Sequence, residues 1–220
     1  AFEHRRDWFI GRLATLSDVF TIEVCAYAVM SNHCHLVLYI DSEVLSELSI
    51  DEVIHRWCQL YRGPEVIKRY LAGEKLNEFE QTTVSSIAEM WRDRLGDLSW
   101  YMRCLNEYIA RRANAEDGCT GRFWEGRFKS QALLDEQALL TAMAYVDLNP
   151  IRAKMAKSIA ESDKTSGQQR RQAETGPKTD GQVTLRAFAG MEAHQQSGLP
   201  FNVQDYLHLI DWTGRCVLED

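Results

Sequence analysis

The stretch Ala26-Tyr27-Ala28-Val29-Met30-Ser31-Asn32-His33-Cys34-His35-Leu36-Val37-Leu38-Tyr39-Ile40 is apolar, aromatic and β-branched along nearly its whole length, and is interrupted only around Ser31-Asn32. Such a run reads as two strands, about 21–30 and 33–40, meeting at a tight turn. Side chains alternate between the faces of a strand, so His33 and His35 point one way and Cys34 the other. Two imidazoles one pleat apart can share a metal ion. They can equally be ordinary half-buried residues, and the spacing by itself leaves both readings open.

Outward from this hairpin, Trp8, Phe9, Leu13 and Leu16 recur at helical spacing and predict a first helix over 2–16. On the other side, helices are expected at about 50–61, 64–72 and 84–95, broken at Gly63-Pro64 and Gly73. Leu98, Met102, Leu105, Tyr108, Ile109 and Arg112 make a further amphipathic helix, with Ser99 as its cap and Asn114 near its end. The turn-rich passage 116–121 leads into Arg122-Phe123-Trp124-Glu125-Gly126-Arg127-Phe128-Lys129-Ser130-Gln131-Ala132-Leu133-Leu134, whose second half reads as a third strand. Asp135 then opens a helix that ends at Asn149-Pro150, because the residue before proline disfavours helical geometry. From 158 to 182 the chain turns polar and reads as a mostly flexible linker with room for a short helix; 183–220 recovers apolar residues and reads as a helical extension docked on the body.

At 220 residues with 45% hydrophobic content, the chain is sized for one domain with additions. No run approaches the roughly 20 apolar residues needed to span a bilayer. The opening residues show no apolar leader core, so the expected location is the cytoplasm. The six cysteines form no CxxC pair, which fits reduced thiols rather than a cysteine zinc cage. The net charge of −7 argues against generic affinity for nucleic acid, yet Arg122, Arg127, Lys129, Arg152, Lys154 and Lys157 gather near the centre, and local field outweighs the total where a groove does the binding.

In the helix 135–149, Leu139, Met143 and Val146 form the buried stripe. Tyr145 lies about 200° around from Met143, off that stripe, beside the small or polar Ala138, Thr141 and Ala142. Asn149 follows four residues later, so Tyr145 and Asn149 can face one site together. A tyrosine with a packed ring and a wet hydroxyl, and an asparagine that merely ends a helix, are the alternatives.

Three segments together carry a family resemblance. Met30-Ser31-Asn32-His33-Cys34-His35-Leu36-Val37-Leu38 resembles the "MPNHxHLLL" segment of the single-tyrosine HUH transposases. Phe123-Trp124-Glu125-Gly126-Arg127-Phe128-Lys129-Ser130 resembles their "lWqgRfks" segment, and Tyr145-Val146-Asp147-Leu148-Asn149-Pro150-Ile151-Arg152-Ala153 is similar to their "YIxxNPVRA" signature. Order and rough spacing are kept over about residues 2–157, and the chain most resembles the branch called REP-associated tyrosine transposases.

The resemblance implies an α+β, ferredoxin-like HUH domain over 1–157, with an antiparallel sheet, packed helices and a helical insertion at about 50–95. Members open with a strand ahead of the first helix, and no such strand precedes Phe2, so the implied domain is shortened at its start. It further implies His33 and His35 as metal ligands, Asn149 as candidate third ligand, and Tyr145 as nucleophile. The cofactor would be Mg²⁺ or Mn²⁺, and the substrate single-stranded or hairpin DNA. Arg122, Trp124, Arg127, Lys129 and Arg152 would hold that DNA, aromatic rings stacking on bases while cations meet phosphates. The chemistry implied is cleavage and strand transfer through a 5′-phosphotyrosine, with no membrane partner and a homodimer as a candidate assembly. Two other readings stay open: a hairpin-binding descendant without turnover, and a metal-dependent phosphoesterase acting through water.

Overall fold

The computed structural model describes residues 3–175, 181–190 and 198–219. Helix α1, Glu3–Val19, buries Phe9, Leu13, Leu16 and Val19 along one stripe and leads directly into strand β1, Ile22–Val29. Strand β2, Cys34–Ile40, pairs with β1 antiparallel, as the alternation predicts. The pairing carries a bulge. Val24 faces Leu38 and Ala26 faces Val37, leaving Cys25 without an opposite number. One extra residue shifts the phase of the strand. Ile22, Val24, Tyr27 and Val29 therefore serve one core, while Cys25, Ala26 and Ala28 serve a second on the other face with Val37.

The first core is built by α1 and by four further helices: α2 (Ser42–Glu47), α3 (Ile50–Cys58), α4 (Glu65–Leu71) and α5 (Glu78–Leu95), closed by α6 (Leu98–Glu116). Helix α5 starts earlier than its apolar spacing predicts because Asn77 and Glu80 form a reciprocal capping box. Helix α6 is capped by Asp97, whose side chain accepts from the Trp100 N–H at 2.8 Å; Ser99, the expected cap, lies inside the helix. Asn114 lies near the end of α6, as expected, and its amide donates to the Gly121 carbonyl at 2.9 Å.

The second core is made by α7 (Glu136–Asp147), the single turn α8 (Asn149–Arg152) and α10 (Val203–Glu219), with α9 (Ser166–Thr175) beside them on β1. The cap at Asp135 is as expected, its carboxylate accepting from the Ala138 N–H at 2.7 Å. The end of the helix is not: α7 stops at Asp147, and Asn149 begins α8 with Pro150 in its first turn, where a missing N–H costs nothing.

Two further expectations are corrected. The sheet has two strands, and residues 122–134, expected to supply a third, are irregular and exposed. Phe128, Leu133 and Leu134 are 37%, 40% and 89% exposed, so a strand there would have no apolar layer to cover. The stretch 158–175 is not a loose linker. Its polar residues Ser162, Thr165, Ser166 and Arg170 are buried, and they line the edge of β1 away from β2: the Val29 N–H donates to the Lys164 carbonyl and the Tyr27 N–H to Ser166 Oγ. Residues 183–190 extend this cover through a short parallel bridge between Val24 and Leu185. Residues 176–180 of the expected linker lie outside the described residues. Among the described residues no helix is long and apolar enough to cross a membrane.

Candidate active site

Strand register decides where the histidines point. His35 sits opposite Ala28 and therefore shares its face, the one covered by α7; Cys34 sits opposite Val29 and packs into the first core, where burial pushes its thiol up to about 12. His33, one residue ahead of β2, remains exposed, with its ring centroid 5.1 Å from that of His35. The expected pair is present. Asn32 adds a partner that the motif alone did not assign: its Oδ1 faces His33 Nδ1 at 2.7 Å. An acceptor at that point favours the tautomer with its proton on Nδ1 and its lone pair on Nε2, the arrangement found behind metal-binding histidines. His35 has its pKa lowered by burial, with His33 as a second cause, which keeps its imidazole neutral and able to donate a lone pair.

From the other side, α7 presents Tyr145. Met143 and Val146 are buried against the sheet, so the helix turns Tyr145 outward, 47% exposed, with its ring centroid 5.7 Å from that of His35 and nearly perpendicular to it. The small side chains of Ala26 and Ala28 let α7 lie close to the sheet. Arg152 reaches back from α8, its guanidinium carbon 5.6 Å from the centre of the Tyr145 ring. His33, His35, Tyr145 and Arg152 thus form one exposed cluster assembled from two distant parts of the sequence.

Asn149 sits differently. It is 8% exposed, at the start of α8 and beyond the break after α7, whereas Tyr145 stands half in solvent. Among the described residues no third His, Cys, Asp or Glu joins His33 and His35 around a common point. The spacing of the pair is compatible with a shared ion. With a metal–nitrogen bond of about 2.1 Å and about 1.2 Å more to each ring centre, two imidazoles on one ion have centroids roughly 4.7–5.4 Å apart at angles between square and tetrahedral, and the observed separation is 5.1 Å. An ion held by the pair would need further oxygen ligands to complete its shell.

The remaining expected contacts lie on the loop between α6 and α7. Arg122, Arg127 and Lys129 are exposed. Trp124 is half-buried, packs against the first core and donates its indole N–H to the Asn106 carbonyl at 2.9 Å, so it pins the loop to α6. Phe123 meets it edge-on at 5.0 Å. Phe128, between Arg127 and Lys129, is exposed like them.

Sequence reasoning missed Asp147. It lies on the buried side of α7, 0% exposed, and the signal was available: a carboxylate four residues after Met143 falls on the apolar stripe. No family model, curated protein or solved structure matches the chain.

Proposed function

We propose that this protein is a divalent-metal-dependent DNA strand transferase of the single-tyrosine HUH type, acting on single-stranded DNA that folds into hairpins. Its α+β body is read as a ferredoxin-like HUH domain in which β1 and β2 form the sheet that carries the histidines. The observation that supports this most is the convergence of His33, His35 and Tyr145 on one face, with ring centroids 5.1 and 5.7 Å apart. Burial of an ordinary histidine pair does not require an exposed tyrosine beside it.

His33 and His35 would hold Mg²⁺ or Mn²⁺, with Asn149 as candidate third ligand. Such an ion, when bound, polarises the scissile phosphate and offsets charge that develops on its oxygens. Asn32 keeps His33 in the ligating tautomer, and the partly buried surroundings of His35 keep it uncharged. Tyr145 attacks phosphorus in line through its hydroxyl oxygen. The new bond joins that oxygen to phosphorus, the bond to the 3′-oxygen breaks, the phenol gives up its proton, and the departing 3′-oxygen gains one. The product is a 5′-phosphotyrosine and a free 3′-hydroxyl, so a second 3′-hydroxyl can reverse the step and join a new strand. Arg152, over the Tyr145 ring, is placed to meet the phosphate. Arg122, Arg127 and Lys129 offer exposed cations to the flanking backbone.

The test uses end-labelled hairpin DNA with Mn²⁺, run on a denaturing gel. A slow-migrating covalent adduct is expected with the native chain and not with Tyr145→Phe, which loses the attacking oxygen and so at least about 10³-fold in rate. Tight hairpin binding with no adduct in any divalent metal would reassign the protein as a binder without turnover. An adduct that persists in Tyr145→Phe would remove Tyr145 from the mechanism.

A further inference from the structure

The carboxylate of Asp147 ties the tyrosine helix to both helices of the C-terminal segment. Its Oδ1 accepts from the Ser166 hydroxyl at 2.5 Å and from the Gly167 N–H at 2.7 Å, where α9 begins; its Oδ2 accepts from the Tyr206 hydroxyl on α10 at 2.6 Å. The approach of α9 is close: a Cβ at Gly167 would lie 3.0 Å from Asp147 Cγ and 3.1 Å from Ile210 Cδ1, so those side chains would have to give way to it. Ser166 Oγ in turn accepts the N–H of Tyr27 on β1 at 3.0 Å. The next residue of β1, Ala28, is the register partner of His35. A closed frame results: Tyr145 and Asp147 on α7, Ser166 on α9, Tyr27 and Ala28 on β1, and His35 on β2 facing Tyr145.

Energetics argue that this frame does more than hold the fold together. Burial raises the pKa of the Asp147 carboxyl, a desolvation cost that its hydrogen bonds and nearby Arg170 oppose but do not cancel, and an apolar residue continuing the stripe of Met143 and Val146 would pack without that penalty. What three directional bonds add over apolar packing is a fixed rotation and depth for the last turn of α7. Tyr145 stands on that same turn, on the opposite side of the helix, so any rotation of α7 swings its ring across His35.

We propose that Asp147 is a positioning residue: through Ser166, Gly167 and Tyr206 it sets the rotation of α7 and thereby the placement of Tyr145 against His35. The kinetic consequence rests on the reading of Tyr145 as nucleophile; the geometric one does not. The C-terminal segment is on this account part of the site.

Tyr206→Phe removes one donor to Asp147 and keeps the packing, and Ser166→Ala removes a second donor together with the acceptor of the Tyr27 N–H; both are tested in the full chain after circular dichroism shows native helix content. The first readout is the ring-proton resonance of His35, with Tyr145→Leu supplying the value when the aromatic neighbour is absent. In at least one of the two variants the resonance is expected to move part of the way toward that value. The second readout is adduct formation on hairpin DNA with Mn²⁺, expected to slow about tenfold while affinity for the same hairpin stays within about twofold, the split that misplacement of a reacting group produces. A His35 resonance unmoved in both variants would overturn the proposal and leave the network a purely structural one. Should the native chain form no adduct, the strand-transferase reading fails, and the His35 resonance alone decides the role of Asp147.

Discussion

The two faces of β1 are packed by opposite means. Toward α1, α3, α5 and α6 the strand meets large apolar side chains, among them Leu13, Leu16, Ile54, Trp57, Trp91, Tyr101 and Leu105, with Trp57 lying between Trp91 and Trp100. Toward α7 it offers Ala26 and Ala28, and behind α7 lies the hydrogen-bonded group of Asp147, Ser166 and Tyr206. Hydrophobic packing is strong and non-directional, so it tolerates small shifts of one element over another. Hydrogen bonds and small-residue contacts gain less area but fix angle and distance. The candidate site lies on the second face. Both faces bury apolar side chains, Met143, Val146, Ile151 and Ile210 among those of the second, and the second adds fixed bonds beside the candidate site.

The largest expected effect would break this contrast if it failed. Trp57→Ala empties the aromatic layer of the first face, where Trp57 is 3% exposed. It should cost about 3–5 kcal/mol, read as a lowered urea midpoint. In the fraction that remains folded, the Tyr145–His35 ring contact should persist, because the bonds from Asp147 that hold α7 lie on the other face. Loss of the contact before unfolding would mean the two faces are not separable. Ala28→Val sharpens the contrast from the other side. Ala28 is fully buried beneath α7 and opposite His35, and added methyls there push against a helix held by fixed bonds. Overpacking should cost about 1–3 kcal/mol, less than Trp57→Ala, yet it should abolish the adduct that Trp57→Ala leaves in its folded fraction.

The sequence disclosed the parts of the fold that depend on local alternation and left hidden those that depend on distant partners. The hairpin, the face shared by His33 and His35, the outward turn of Tyr145 and the cap at Asp135 all follow from periods of 2 and 3.6 read within one segment. The bulge at Cys25 does not, since it is a property of pairing: only when Val24 meets Leu38 and Ala26 meets Val37 does the extra residue exist. The stretch 127–134 looked like a strand because Phe128, Leu133 and Leu134 are apolar, but strand formation needs a layer to bury them and none is there. The residues after 158 looked like a linker because they are polar. Ser166 and Arg170 are buried all the same: Ser166 is bonded to Asp147 and to the Tyr27 N–H, and Arg170 donates from one Nη to the carbonyls of Cys25 and Arg186, partners that composition does not reveal. Asp147 itself was legible as a carboxylate on an apolar stripe; its acceptor role was not, since Tyr206 lies on another helix far along the chain.

The smallest expected effect concerns the loop that leaves α6 on the first face and ends at the cap of α7 on the second. Its residues divide by what they touch. Trp124 is bound to α6 through Asn106, whereas Arg127 and Lys129 are exposed. Trp124→Phe should therefore cost about 1 kcal/mol of stability, the worth of one hydrogen bond left unmade, and should leave the salt dependence of DNA binding alone. Arg127→Ala and Lys129→Ala should change stability by no more than about 0.5 kcal/mol. Each should weaken binding to single-stranded DNA evenly across sequences and reduce the slope of log affinity against log salt by about 0.7, the value for one phosphate contact on a single strand. A slope that ignores both cations and Trp124 alike would place the DNA off the loop. The strand would then have to reach Tyr145 along the Arg152 side of α8 instead, and Arg152→Ala would show the larger change in slope.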